Sequence, residues 1–346
     1  MKNVSIEAWR FVFSIYMVIY HVIFHIYGIR TGGYIGVDVF FIISGYLLAY
    51  SQSEKGTTAI QYVKSRFLRL YPMYIIAYFV AEILRGITNG YTLAKMADRV
   101  YRSFPEMFML RITTTINGPA WYVAAMLIAG FVLYAALCMD KSNAIKTLVV
   151  PMLSLFIYSR FHDVLGRIHA HNSQEVFPLP FDGIWRAIAG MGLGIFAFVL
   201  VKELKPKIST AKQSLVLTIL GNIGMTVVVA VSVFKYHGFA DFWFIFITFV
   251  SVLLLFLGGT AKKGTEPSKF SKVVFYLGGL SYPIYLVHDA LYKVFKTYKL
   301  IDNAAVGCIV ISLCAIAEAA LLAFVLKKVT ELLRKRKAAK AEKPAQ

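Results

Sequence analysis

The chain has 346 residues, of which 58% are hydrophobic and only 16% are charged, and its mean hydropathy is +0.65. A soluble domain carries about 25% charged residues, so this composition excludes an ordinary soluble fold and indicates a protein embedded in a membrane. The formal net charge of +19 does not indicate a nucleic-acid partner here, because Lys and Arg collect in the cytoplasmic loops of membrane proteins.

Ten apolar blocks of membrane-spanning length predict an all-α fold, a polytopic bundle of about ten transmembrane helices. With the N-terminus inside, the inner loops hold about 24 of the 37 Lys and Arg residues, so we expect both termini in the cytoplasm. The predicted location is the inner or plasma membrane, with the lipid bilayer around the bundle. The blocks are residues 8–29, 35–52, 71–86, 119–139, 144–160, 184–201, 213–235, 242–258, 273–291 and 301–326.

The predicted domain organisation is a membrane domain followed by a short charged tail. Residues 1–326 are predicted to form the membrane domain, with about ten transmembrane helices, and residues 327–346 a basic cytoplasmic tail. The tail is either a helix over anionic lipid or a flank that stops transfer of the last helix. In this topology the segment 87–118 lies on the outer side of the membrane, although it carries Arg99, Arg102 and Arg111.

The first block contains ionisable side chains at membrane depth, where they are costly and usually functional. Arg10 precedes FVFSIYMVIY, and His21 and His25 follow one helical turn apart. At 1.5 Å per residue, His21 lies about 16 Å deeper than Arg10, near the midplane if Arg10 is at the inner interface. We therefore expect His21 and His25 on one helix face inside the bundle.

The second block has a carboxyl group near its start, that of Asp38 in GVDVFF. This helix descends from the outside, so Asp38 should lie at a depth similar to that of His25. A carboxylate beside an imidazole orients the ring and favours its protonated form, which is how a general base is tuned. His21, His25 and Asp38 are therefore candidate catalytic residues; the alternative is that they only satisfy one another's polar groups.

A basic cluster, YVKSRFLRLYP, stands just before the third block and contains Lys64, Arg66 and Arg69. Arg66 and Arg69 are three residues apart, so they project from one side of a helix or turn and could hold phosphate groups. The alternative is that they are the positive flank that membrane topology requires.

Other histidines favour structural interpretations. The outer loop 161–183 contains His162, His169 and His171, but no matching ligand set follows, so we expect no metal site. LSYPIYLVHD places His288 in the outer half of the ninth block, where by itself it is better read as structural.

Taken together, these segments resemble the acyltransferase 3 family of integral membrane acyltransferases. The matching stretches occur in family order over most of residues 5–290 and are the Arg10-to-His21 signature, GGYIGVDVFFIISGYLL, RFLRLYP, WRAIAGMGLGIF and LSYPIYLVH. The resemblance implies a bundle of about ten helices. It also implies transfer of an acyl group, usually acetyl, from cytoplasmic acyl-CoA to a carbohydrate handled at or beyond the outer face.

The resemblance also implies roles for single residues. His21 matches the essential histidine, and Arg10 belongs to the same signature. Arg66 and Arg69 match the cytoplasmic Arg-x-x-Arg that is thought to hold the CoA phosphates, and Asp38 matches an Asp of the second helix.

The sequence departs from the family pattern at position 126. Many members have a Glu five residues after the Trp of the fourth helix, whereas this chain has Met126. A role assigned to that Glu is therefore absent or moved. The sequence also shows no extracytoplasmic hydrolase-like domain, so we expect transfer to finish within the membrane domain or with a separate partner.

The leading hypothesis is an acetyl-CoA-dependent O-acyltransferase that acts on a surface polysaccharide or its lipid-linked precursor. Arg10, Arg66, Arg69 and Lys64 would hold CoA at the inner face of the membrane. His21 would act as a general base or accept the acyl group transiently, and His25 or Asp38 would orient it.

Two other classes of protein fit parts of the sequence. A proton-coupled transporter or flippase for a lipid-linked glycan also uses ten helices, a basic inner face and buried ionisable residues. Such a carrier has no special need for an Arg-x-x-Arg cluster. A regulatory or scaffolding subunit is disfavoured by the buried ionisable residues. A homo-oligomer and a complex with a glycan-biosynthesis partner are both compatible with the sequence.

Overall fold

The computed structural model of the protein describes residues 3–111, 113–168, 174–178, 181–234, 238–259 and 266–341. These described residues form twelve α-helices and no strand. The helices are α1 (Val4–His25), α2 (Gly36–Lys55), α3 (Ala59–Thr88), α4 (Leu93–Arg102), α5 (Phe104–Met107), α6 (Trp121–Met139), α7 (Val150–Leu165), α8 (Asp182–Leu204), α9 (Ala211–Ser232), α10 (Ala240–Gly258), α11 (Lys269–Thr297) and α12 (Ala304–Ala341).

Ten helices in the described ranges are long and apolar enough to cross a membrane, namely α1–α3 and α6–α12. The predicted all-α bundle of about ten transmembrane helices is therefore confirmed. The two remaining helices, α4 and α5, lie in the segment that the sequence placed between the third and fourth spans.

The third helix begins earlier than its apolar block, at Ala59 rather than at residue 71. Thr58 caps it: its hydroxyl accepts from the Gln61 N–H at 3.3 Å, and the Gln61 side chain accepts from the Thr58 N–H at 3.0 Å. This capping box starts a helix whether or not its first turns are apolar. As a result, three candidate CoA-binding residues lie inside α3: Lys64, Arg66 and Arg69.

The last helix continues past its apolar block. α12 runs without a break beyond Lys327 to Ala341. The first part of the basic tail is therefore a direct extension of the last spanning helix.

Glycines let α2 and α8 pack with their backbones in contact. A Cβ on Gly45 would overlap the carbonyl group of Met191, and a Cβ on Gly194 would overlap the carbonyl oxygen of Ile42. Close backbone approach of this kind is a main source of packing energy between helices in lipid, where the hydrophobic effect no longer drives association. These are also the two most buried spanning helices, with 78% and 72% of their apolar windows buried.

A second close crossing joins α1 to α11. A Cβ on Gly278 of α11 would lie 2.8 Å from the Cβ of Glu7 on α1, so only a hydrogen atom fits there. The two helices continue in contact from this point, and they bring His21 and His288 side by side.

Two buried carboxylates hold the segment between α3 and α6. Glu106 accepts hydrogen bonds of 2.8–3.2 Å from the backbone N–H groups of residues 115–117. Glu82 of α3 pairs with Arg99 of α4 through two hydrogen bonds of 2.7 and 3.1 Å. Because both carboxylates are buried and paired, they fix this segment over the end of α3.

Candidate active site

Arg10 and His21 lie on the same face of α1. Eleven residues at 3.6 residues per turn make about three full turns, so the two side chains leave the helix in nearly the same direction. Ser14 and Met17 lie between them on this face and are buried in the bundle. The Arg-x10-His spacing therefore aligns a cation with an imidazole about 16 Å further along one continuous helix.

The hydrogen bonds of His21 define its tautomer. Its Nδ1 lies 2.9 Å from the carbonyl oxygen of Met17 and 3.0 Å from the Nε2 of His288 on α11. Since a carbonyl oxygen only accepts, we assign the ring proton to Nδ1, with the His288 Nε2 as its second acceptor. The Nε2 of His21 has no hydrogen-bond partner among the described residues and keeps its lone pair, as a general base requires.

His21 is only half-buried, whereas its partner His288 is fully buried. The sequence favoured a structural interpretation of His288, but the structure places it in direct contact with the candidate base. His288 is therefore part of the site, as a group that positions His21.

His25 belongs to a stack of parallel rings. The centroids of His21 and His25 are 5.7 Å apart at an interplanar angle of 2°, and those of His25 and Tyr292 are 5.0 Å apart at 1°. The prediction that the two histidines share a helix face is therefore confirmed. Tyr292 in turn donates its hydroxyl proton to Asp289 at 2.8 Å.

The expectation that Asp38 orients a histidine is wrong. Asp38 is fully buried, and its carboxylate is paired with Arg186 of α8. It accepts from Arg186 Nε at 3.1 Å and Nη2 at 2.5 Å, and from the Tyr158 hydroxyl at 3.0 Å. The cause is helix packing: α2 lies against α8, so Asp38 faces that helix instead of α1.

Asp289 is the carboxylate connected to the histidines, because it accepts the hydroxyl proton of Tyr292, whose ring lies parallel to that of His25. It follows His288 on α11 and accepts from Lys293 Nζ at 2.5 Å and from the Gly118 N–H at 3.3 Å. The sequence reasoning missed this residue. Its signal is the run HDALYK, in which four polar side chains interrupt an apolar helix within six positions.

The candidate CoA-binding arginines come together at the other end of the bundle. The guanidinium group of Arg69 is close enough to those of Arg66 and Arg10 to be repelled by both. Arg66 also lies over the ring of Tyr62, 5.2 Å from its centroid. Arg10 pairs with Glu7 at 2.8 Å, whereas no carboxylate pairs with Arg66 or Arg69 within the described ranges.

Lys64 is exposed, as Arg69 is, whereas Arg66 is half-buried. No ion pair of Lys64 occurs among the residues that the structure describes. It lies in the same turns of α3 as Arg66 and is free to reach a bound polyanion.

Met126 lies on α6 and faces α2. Its sulfur accepts a weak hydrogen bond from the Ser44 hydroxyl at 3.7 Å. A thioether carries no exchangeable proton, so this position offers no acid or base to the site.

His162, the outer-loop histidine that the structure describes, does not join the site. His162 lies on the last turn of α7 instead of in a loop, and its ring centroid is 4.9 Å from that of Phe242. His169 and His171 lie outside the described residues.

Comparisons with known proteins identify the family. A family model described as an acyltransferase domain matches residues 3–327. "Protein 2 in picA locus" of Rhizobium radiobacter is 31% identical over 113 residues, which cover 26% of this chain and 59% of that protein. "Acyltransferase MdmB" of Streptomyces mycarofaciens is 34% identical over 56 residues, 16% of this chain and 14% of that protein. The chain thus spans less than two thirds of both relatives. No solved structure matches.

Proposed function

Since this chain belongs to the acyltransferase 3 family of membrane acyltransferases, we propose that it moves an acetyl group from cytoplasmic acetyl-CoA to a sugar hydroxyl. The proposed acceptor is a cell-surface polysaccharide or its lipid-linked precursor, and the proposed location is the inner or plasma membrane with both termini cytoplasmic. The observation that carries this proposal is His21, a half-buried imidazole with an unpartnered Nε2 among the described residues, in line with Arg10 on α1.

The donor would bind at the arginine cluster, with Lys64 beside it. Guanidinium groups bind phosphate oxygens in pairs, and Arg66 and Arg69 have no carboxylate partner among the described residues. The phosphates of CoA would supply the missing anions. The thioester arm would then extend along α1, from Arg10 toward His21.

The chemical step would use the free Nε2 of His21. It takes the proton of the acceptor hydroxyl as the oxygen attacks the thioester carbonyl, so a C–O bond forms and the C–S bond breaks. The proton passes to the departing thiolate, which leaves as CoA. The Met17 carbonyl keeps accepting the Nδ1 proton of the transient imidazolium.

A covalent route uses the same nitrogen. The Nε2 of His21 would attack the thioester, CoA would leave, and the acyl group would pass to the hydroxyl in a second step. A label that appears on the protein before it appears on a sugar would identify this route.

The transporter hypothesis has little support left. Its basis was the set of buried ionisable residues, and the family assignment makes the protein an acyltransferase. The unpaired Arg66 and Arg69 also fit a phosphate-bearing donor better than a proton-coupled carrier.

The experiment that tests the function follows a labelled acetyl group. Membranes containing the protein are incubated with acetyl-labelled acetyl-CoA, and the label is followed into protein, lipid-linked sugar and polymer. We expect base-labile label in a sugar fraction, because an O-acetyl ester is cleaved by mild alkali. Label that enters only alkali-stable amides, or no fraction at all, would contradict O-acetyl transfer.

Arg66→Gln and Arg69→Gln are each expected to weaken acetyl-CoA binding about 10-fold or more. A hydrogen bond to a charged group contributes about 1.5–3 kcal/mol, and 1.4 kcal/mol is a factor of ten. The measurement is the thermal stabilisation of the purified protein by acetyl-CoA, because a ligand that binds the native state must raise its melting temperature.

The matched control is Arg102→Gln on α4. Arg102 is an exposed arginine that pairs only with Asp98 in the described chain, so acetyl-CoA should stabilise this variant as it does the natural protein. Equal stabilisation of all three variants would place the CoA phosphates elsewhere.

A further inference from the structure

A cavity of about 260 Å³ lies between the last turns of α3 and α11. It is at the far end of α3 from Arg66 and Arg69. Three cationic side chains line it, those of Arg85, Lys293 and Lys296, together with one carboxylate, that of Asp289. We call this cavity the cationic pocket.

The cationic pocket has more positive charge than the protein itself neutralises. Asp289 pairs with Lys293. Arg85 donates to the carbonyl oxygen of Thr115, which is a neutral acceptor. Lys296 is exposed and forms no ion pair within the described ranges. Two of the three cations are therefore left without a carboxylate.

These cations are not needed to cap the helix ends. In α3, the carbonyl of Arg85 already accepts from the N–H and side chain of Asn89. In α11, the Lys296 carbonyl accepts from the N–H of Lys299, and the two carbonyls before it also accept backbone N–H groups. A role in satisfying terminal carbonyls therefore does not explain the charges.

Membrane topology does not explain them either. In the orientation expected from the charge bias, the last turns of α3 and α11 are at the outer face, where Lys and Arg are disfavoured. Cations that remain there against this bias require another cause.

The cationic pocket is one side chain away from the candidate catalytic histidines. Asp289 lines it and accepts the hydroxyl proton of Tyr292, whose ring stacks in parallel on His25. A group bound in the cationic pocket would thus lie beside Asp289, the residue that connects the pocket to Tyr292 and the histidines.

We propose that the cationic pocket binds an anionic group, a carboxylate or a phosphate, of the sugar that accepts the acyl group. This inference rests on the proposed function and names its acceptor class: an acidic or phosphorylated glycan. The cavity volume is slightly below the roughly 300–1,000 Å³ of small-molecule sites, which suits one sugar residue of a larger chain.

The test is a binding measurement on the purified full chain by calorimetry, with D-glucuronate, glucose 1-phosphate and D-glucose as probes. We expect at least one of the anionic sugars to bind at least 10-fold more tightly than glucose. Arg85→Gln and Lys296→Gln should each weaken that binding 10-fold or more. Tighter binding of D-glucuronate would indicate a carboxylate on the natural acceptor, and tighter binding of glucose 1-phosphate would indicate a phosphate.

Two further variants control for nonspecific effects. Lys299→Gln removes an exposed cation just past α11 that does not line the cavity, so its binding should equal that of the natural protein. Arg85→Lys keeps the charge and should retain most of the binding. Equal affinity for glucose and the anionic sugars, or unchanged binding in both Gln variants, would overturn the inference.

An anionic lipid headgroup is the alternative occupant, and it is tested by repeating the binding measurements in nanodiscs with and without phosphatidylglycerol. Binding of phosphatidylglycerol that depends on Arg85 and Lys296, with no binding of either anionic sugar, would assign the cationic pocket to a lipid headgroup and overturn the proposal. Acetyl-CoA stabilisation and label transfer are recorded on the same preparations. If acetyl-CoA stabilisation and label transfer fail while an anionic sugar still binds, the proposed function is wrong and the cationic pocket remains an anion site. If stabilisation and transfer succeed while neither anionic sugar binds, only the inference about the cationic pocket is rejected.

Discussion

His21→Ala is expected to lower the rate of acyl transfer at least 100-fold while the protein still inserts and folds. General acid–base catalysis contributes about 10²–10⁴-fold, and the variant lacks the candidate base, whose Nε2 has no hydrogen-bond partner among the described residues. The side chain forms no ion pair, so its loss should cost little stability. The measurement is the initial rate of label transfer from acetyl-CoA, per molecule of folded protein.

His21→Asn separates the two nitrogens of the ring. The Asn amide can still donate toward the Met17 carbonyl, as Nδ1 does, but it has no counterpart of Nε2. We therefore expect it to be as inactive as His21→Ala, with acetyl-CoA stabilisation unchanged. His162→Ala on α7 is the matched histidine control and should keep full activity.

Retained transfer in His21→Asn, with loss in His21→Ala, would mean that the ring serves as a spacer and a donor. Retained transfer in both would remove His21 from the chemistry. In that case His25 would be the next candidate, since its ring lies parallel to that of His21 at 5.7 Å.

The parts of the site that lie on one helix could be predicted from the sequence. Helical geometry fixes the rise and rotation between Arg10, His21 and His25, so their alignment and depth follow from spacing alone. The count of ten spans followed for a similar reason, because the apolar length needed to cross a bilayer is set by its thickness.

The contacts between helices could not be predicted in this way. Spacing gives the depth of Asp38 but not the helix that it faces, and that depends on the neighbours of α2. The close approach of α2 to α8 depends on Gly45 and Gly194, which place Arg186 rather than a histidine beside the carboxylate. The partner of His21 was hidden for the same reason: His288 is 267 residues away in sequence.

Arg186→Met is expected to lower the free energy of unfolding by about 3–5 kcal/mol, because it leaves the buried carboxylate of Asp38 without its cation. Tyr158 remains as the only hydrogen-bond donor to Asp38 in the described chain. The measurement is thermal and chemical unfolding of the purified protein in detergent. Arg160→Met is the matched control, because its pair with Asp163 is exposed and 3.9 Å long, so its loss should hardly be measurable.

The double variant Asp38→Asn, Arg186→Met removes both charges and should recover most of the stability lost in Arg186→Met. A buried pair costs more to break than to replace, since the penalty comes from the charge left behind. A double variant no more stable than Arg186→Met would mean that Arg186 stabilises the bundle through its other contact, the hydrogen bond of 2.8 Å to the Tyr34 carbonyl.

The same double variant decides what Asp38 does. If Asp38 fixes α2 against α8, the folded fraction should transfer acyl groups at close to the natural rate. If it belongs to the chemistry, activity per folded molecule should fall about as far as in His21→Ala. The geometry favours the first outcome, because the hydrogen-bonding partners of Asp38 in the described structure are Arg186 and Tyr158. The carboxylate connected to the histidines, through Tyr292, is that of Asp289.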